Sequence, residues 1–361
     1  MKYTDSERAV IVLDSMLGLE YKYKIKLLSL VKEPSRLLEA SKTVENYIDE
    51  AFPEGKANTV KLALFDKNYH DHVFGIIEKY ETVCVTLYSE NYPKLLKQTD
   101  IPPLVLYCNG NPELLNKEKT FAIVGSRKCM PYATELAKDF SGKIAKSGAI
   151  VVTGSAGGAD KAAIDGAIDS GNLISVLAGG IGHIYPEYNK TAILKIAKTG
   201  LVISEQSPDC AVKPWMFPVR NRIIAGLSQG VLIVGGDRES GARHTANYAA
   251  DYGREVFAFP YSIGIKSGEL NNELIKSGAN LCDDINDIFD FLKIDENSED
   301  NISLKGDEAE IYDAIKEGFD DVNKLVLKTG KKMFELAPIL SSLEIEGLIV
   351  KLAGNKYKTV K

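Results

Sequence analysis

A chain of 361 residues is longer than one ordinary domain, and 45% hydrophobic with 26% charged residues is the composition of a folded globular protein. No apolar run approaches the roughly 18 residues of a membrane-spanning helix, and the start, MKYTDSERAV, lacks the apolar core of a secretion signal. The net charge of −6 does not exclude a nucleic-acid partner, because residues 283–310 alone carry −9 and leave +3 on the remainder.

In chain order, residues 1–85 are expected to form a helical domain. IVLDSMLGL and YKIKLLSLV place apolar residues at helical spacing, and Pro34-Ser35 is expected to open a further helix through RLLEA. The rhythm then changes. TFAIVGS, AIVVTGS, NLISVLAGG, LVISEQ, GVLIVGG and EVFAFP are near-continuous apolar runs that alternate with helical patterns such as PYATELAKDFSGKIAKSG and ADKAAIDGAIDSG. Strands of that kind are buried on both faces, so an α/β domain with a doubly wound parallel sheet is expected over residues 88–290. Residues 291–304 read as an acidic linker, part of the stretch 283–310 with 11 acids and two lysines. Residues 305–361 suggest three helices and a terminal hairpin, the outline of a winged-helix domain. Cys84, Cys108, Cys129, Cys210 and Cys282 are scattered without a C-x-x-C pair, which argues against a zinc site or a disulfide framework and suits a reducing cytoplasm.

Ligands of a doubly wound sheet sit at the carboxyl ends of its strands, where helix N-termini favour anions. The first strand ends in Gly125-Ser126-Arg127. The second ends in a loop holding Gly154, Ser155, Gly157, Gly158 and Asp160, whose glycines allow close backbone approach and whose aspartate can cap a helix. Phe217, Arg220, Asn221 and Arg222 precede the helix IIAGLS and offer an aromatic face with two guanidiniums. Ser240-Gly241 before a further helix is a fourth candidate anion contact. Trp215 is read as the anchor of its loop, and His183 and His244, without Cys or Ser–Asp partners, as structural. Neither G-x-G-x-x-G nor G-x-x-x-x-G-K-[ST] occurs, which disfavours a dinucleotide enzyme and a P-loop NTPase.

The succession GSR, TGSAGGAD, LAGGIGHIYPEYN, ISE, FPVRNRIIAGLS, SGARHTA and NELIKSGA, over residues 88–282, resembles the DNA-processing protein A family, also called DprA or Smf. That resemblance implies an extended Rossmann-like domain, preceded by a sterile-alpha-motif-like helical domain. It also implies a cytoplasmic homodimer that binds and protects incoming single-stranded DNA and loads the recombinase RecA in natural transformation, without enzymatic activity or cofactor. Its phosphate-binding arginine corresponds to Arg127, with contacts in the second-strand loop and the FPVRNR segment; Lys213 lies one residue from a basic family position. Departures stand at Gly157, where a basic residue is usual, at Gly235-Gly236 in place of Glu-Ala, and at Tyr261 in place of glycine. Lys161 and Arg243 are candidates to supply the charge missing at Gly157.

Two rivals remain. Nucleotide-processing phosphoribohydrolases share the core, and Glu205 or Asp160 would serve there as acid or base, but their P-G-G-x-G-T-x-x-E segment is absent. A duplex-DNA regulator would need a basic recognition helix, whereas ELAPILSSLEIEGLI is apolar and acidic.

Overall fold

A computed structural model describes residues 3–16, 18–294, 306–345, 348–352, 354 and 356–359. The chain forms two compact units, Met1–Ile294 and Asp295–Lys361.

The first unit opens with α1 (Asp5–Ser15), α2 (Tyr21–Val31), α3 (Lys42–Ala51), α4 (Glu54–Phe65) and α5 (Lys67–Lys79). Thr4 and Glu7 form a reciprocal capping box that starts α1, with Thr4 N–H donating to Glu7 Oε2 at 2.9 Å. Five consecutive residues of α1, Ala9 to Leu13, are buried, because helices and the edge of the sheet enclose it together. The helix expected from Pro34 is instead a 3-10 turn, Pro34–Leu38, tied down by buried Pro34 and Leu37 and ended by extended Glu39. The expected boundary at residue 85 falls inside β1 (Val83–Thr86), a strand of the main sheet.

The chain continues through α6 (Lys94–Lys97), β2 (Val105–Gly110), β3 (Thr120–Val124), α7 (Pro131–Lys146), β4 (Ile150–Thr153), α8 (Ala159–Ala167), β5 (Leu173–Val176), α9 (Lys190–Thr199), β6 (Leu201–Ser204), α10 (Met216–Leu227), β7 (Gly230–Ile233), α11 (Ala242–Asp251), β8 (Glu255–Ala258), α12 (Glu269–Lys276), β9 (Asn280–Leu281) and α13 (Asn286–Leu292). The nine strands run in the order β1-β2-β6-β5-β4-β3-β7-β8-β9. Strands β6 to β9 across this sheet are parallel, while β2 joins β6 and β1 joins β2 antiparallel. The parallel part matches the doubly wound sheet expected from sequence. The antiparallel edge was missed, since CVT and LVLYCNG follow no helical alternation.

Period-two alternation sorts the sheet's side chains into two cores. Phe121, Ile123, Val151 and Leu232 join the core under α1, α7 and α8. Ala122, Val124, Val152 and Ile233 join the core under α10 and α11. β3 lies at the centre, with β4 on one side and β7 on the other, so the winding reverses beside it and opens a crevice at its carboxyl end.

The second unit comprises α14 (Asp307–Lys316), α15 (Val322–Thr329), α16 (Met333–Ile345), β10 (Ile349–Leu352) and β11 (Lys356–Thr359), closed over Ile311, Leu325, Leu336, Leu340 and Leu343. Asp321 caps α15 by accepting from Asn323 and Lys324 N–H, and Gly330 ends it in the left-handed region. Three helices and a hairpin thus follow in the expected order. The expected acidic linker 291–304 begins within α13; its residues 295–304 lie outside the described residues. No helix among the described residues is long and apolar enough to cross a membrane.

The close packing of α7 on α8 fixes α8, whose start lines the crevice. Ser141 Oγ donates to Ala163 O at 2.6 Å, and a Cβ at Gly166 would lie 2.9 Å from Ser141 Cβ and 3.0 Å from Gly142 N. Gly166→Ala is therefore expected to lower unfolding free energy by about 1–3 kcal/mol, the usual penalty for overpacking. Urea unfolding measures it; an unchanged midpoint would mean the two helices separate freely.

Candidate functional site

The crevice beside β3 is a cavity of about 420 Å³ lined by the ends of β3 and β7 and the starts of α8, α10 and α11. Ser126, Arg127, Asp160, Phe217, Arg220, Asn221, Ser240 and Gly241 all line it, so most of the candidates, drawn from four separate segments, converge. Backbone bonds fix these loops to one another. Ser126 N–H donates to Gly235 O at 2.7 Å, and Ala159 N–H donates to Ser126 O at 3.3 Å. Gly158 makes the second contact feasible: its φ is +67°, and a Cβ there would lie 2.7 Å from Arg127 Cα. On the far side, Tyr261 Oη donates to Val234 O at 2.9 Å and lies where a Cβ at Gly235 would go, while its ring fills the space beside Gly268.

The floor is an ion pair almost shut off from water. Arg220 is 5% exposed, donates from Nη1 to Val176 O, and places Nη2 3.9 Å from Asp160 Oδ2. Asp160 also accepts from Ala156 N–H at 3.1 Å. Burial pushes the Asp160 carboxyl upward, opposed by the Arg220 charge and the Ala156 bond, and burial likewise pushes the Arg220 guanidinium downward. A Cβ at Gly154 would strike both side chains, so the glycine makes room for the pair. Arg220 Nε is buried without a hydrogen-bond partner among the described residues.

The rim has a different character. Arg127 and Lys128 are exposed and have no carboxylate partner among the described ion pairs. Arg127 Cζ lies 5.3 Å from the centroid of the Phe217 ring, which meets Tyr185 edge-on at 5.9 Å. Tyr185 and Tyr188 are 48% and 69% exposed, and Tyr188 stands over Gly157. Asn221 Nδ2 donates to Gly241 O at 3.2 Å and ties α10 to the start of α11. Such a rim offers free positive charge and accessible aromatic faces together, and the second-strand loop supplies its inner wall.

Several expectations need correction. The segment Phe217 to Arg222 does not precede a helix; it forms the first turns of α10. Two residues span about 200° of a helix, so Arg220 and Arg222 point to opposite sides. Arg222 faces away from the cavity, 6% exposed, donating to Ile101 O at 2.8 Å and pairing with Glu205. Glu205, whose carboxyl burial pushes upward, is thereby committed to a structural pair, as Asp160 is to Arg220. Lys213 and Trp215 line a separate cavity. Trp215 is 57% exposed; buried Met216 anchors that loop instead. Ser155 is buried, with Oγ donating to Tyr185 O at 3.2 Å. His183 and His244 are both exposed. Lys161 is held by Asp165, and Arg243 makes two bonds to Glu273 at 2.8 and 2.9 Å, so neither replaces the charge missing at Gly157. Lys128, Tyr185 and Tyr188 are not among the sequence candidates, although GSRK directly after β3 and the aromatics of IYPEY before α9 carry the signal.

Truncating Arg222 would leave Glu205 buried and unpaired. Arg222→Ala is expected to lower unfolding free energy by about 3–5 kcal/mol, and Arg222→Met with Glu205→Leu to recover most of it. Equal stability of the single variant and the parent in urea would reject the buried pair.

The family model described as DNA recombination-mediator protein A matches residues 83–293, more than half of the chain. The DNA processing protein DprA of Bacillus subtilis is 37% identical over 209 residues, 58% of this chain and 70% of the relative. The X-ray structure of DNA processing protein A from Streptococcus pneumoniae superposes with a TM-score of 0.68 at 28% identity, covering 80% of this chain and 98% of that one. A DNA processing protein A structure from Helicobacter pylori, described for its single-stranded DNA binding mode, gives a TM-score of 0.54 at 31% identity over 59% and 97% of the two chains. These matches make the chain a member of the DNA recombination-mediator protein A family.

Proposed function

We propose that the crevice binds single-stranded DNA, with Arg127 and Lys128 on backbone phosphates and Phe217, Tyr185 and Tyr188 offering faces to bases. The observation that carries this reading is the pair of unneutralised cations at a switch-point cavity, set among exposed rings. Phosphate contacts supply sequence-independent affinity, and aromatic faces accept any base. An unpaired strand presents both at once; a duplex keeps its bases stacked. Arg220, paired with Asp160, holds the floor rigid beneath the rim.

The same reading extends to the whole chain as a recombination mediator. It acts as a cytoplasmic homodimer that protects incoming strands and hands them to RecA, with the second unit, a winged-helix domain in this reading, serving contacts other than strand binding. The family match and the Helicobacter pylori relative's single-stranded DNA binding mode support it. A mobility shift comparing single-stranded with duplex DNA tests the core claim; preference for duplex rejects it. Release of free base from nucleoside monophosphates would instead favour the phosphoribohydrolase reading.

Arg127→Ala is expected to weaken strand binding by about 1–3 kcal/mol, the loss of one charge-assisted contact. The log–log salt dependence should flatten by about 0.7, and Arg127→Lys should restore affinity only in part. Affinity titrations at several salt concentrations, paired with melting temperatures, check this. Normal binding with an unchanged slope would remove Arg127 from the site.

A further inference from the structure

A second cavity, of about 610 Å³, lies between the first helices and the end of β6. Its size is that of a small-molecule site. Lys24 and Asp14 form a pair there at 3.0 Å, and Glu205 keeps 20% of its side chain accessible. Its lip is the turn from Lys213 to Met216, closed by Met216 N–H donating to Lys213 O at 3.0 Å. That turn leaves Trp215 57% exposed and Lys213 exposed, with no carboxylate partner for Lys213 among the described ion pairs. Buried Met216 holds the turn down, so folding does not require the indole to be there.

The turn runs directly into Phe217, which lines the phosphate-binding crevice, so one short segment borders both cavities. We propose that this second cavity is a nucleobase subsite for the strand leaving the crevice, with Trp215 stacking on a base and Lys213 meeting the adjoining phosphate. The proposal rests on the single-stranded DNA reading above. An exposed indole beside an unpaired ammonium is the combination that stacks an unpaired base regardless of sequence. The strand passes from Arg127 across Phe217 to Trp215, and the polar groups inside the cavity meet the edge of the stacked base.

Trp215 is the chain's single tryptophan, so its emission reports on this site alone. The full chain is titrated with a fluorescein-labelled oligothymidylate of about 20 nucleotides, and anisotropy and tryptophan emission are followed on the same samples. Emission should quench and saturate together with anisotropy. Trp215→Ala should bind roughly 5- to 100-fold more weakly at an unchanged melting temperature, Trp215→Phe should recover most of the affinity, and Lys213→Ala should lessen the salt dependence. Normal anisotropy with constant emission and an unaffected Trp215→Ala variant overturns the subsite while leaving the crevice reading intact. No anisotropy change with any single strand overturns both. A Trp215→Ala variant that binds DNA normally but loses self-association assigns the indole to a protein contact and likewise overturns the subsite.

Discussion

A guanidinium with almost no access to water joins the working ends of the sheet. Arg220 reaches from α10 to the carbonyl that ends β5 and to the carboxylate that opens α8. Desolvating both charges is expensive, and such a pair seldom adds net stability over an apolar equivalent. Its effect is geometric. Three elements that meet at the crevice are locked in register, and Gly154 has no side chain because the pair needs that volume. The loops of β3 and β4 are then clamped by backbone bonds through Ser126, so the rim sits on a frame with little freedom to adjust. Preorganisation of that sort reduces the ordering penalty when a flexible polyanion binds.

Floor and rim divide the electrostatic work. Arg220 is neutralised by Asp160, whereas Arg127 and Lys128 stand in solvent with their charge unspent. Charge at the rim acts on the approach of a ligand and is screened by salt; charge at the floor is shielded from salt but already balanced. The aromatic rings belong to the rim, and Phe217 links the two levels by carrying Arg127 over its face while its own helix carries Arg220.

Strand–helix alternation made the central sheet readable, and the loops at strand ends disclosed where a ligand would meet it. What the sequence hid has physical causes. The segment from Pro34 is a single 3-10 turn that the chain leaves in extended form at Glu39, and β1 is hidden because a short edge strand carries no period of its own. Arg222 is misplaced in the sequence reading because FPVRNR is set before the helix rather than within it. Once it is helical, alternate residues diverge and only one arginine can face the crevice. Trp215 was misjudged by residue type: large aromatics usually anchor loops, but here the adjacent methionine already fills that position.

Tyr261 stands where the resemblance leads one to expect glycine, and Gly235-Gly236 where it leads one to expect a larger pair. The ring of Tyr261 fills the space beside Gly268, and its hydroxyl closes on Val234 O where a Cβ at Gly235 would go. Gly235 and Tyr261 thus share one volume across separate segments of the chain, whereas Gly236 is confined by Ser240 and Leu270. Positions 235 and 261 are therefore coupled: a Cβ at 235 would strike the Tyr261 hydroxyl, and loss of the whole side chain would leave a void behind the carbonyl that holds Ser126. A change at either position is thus felt by the other, and through Gly235 O by the loop that carries Ser126.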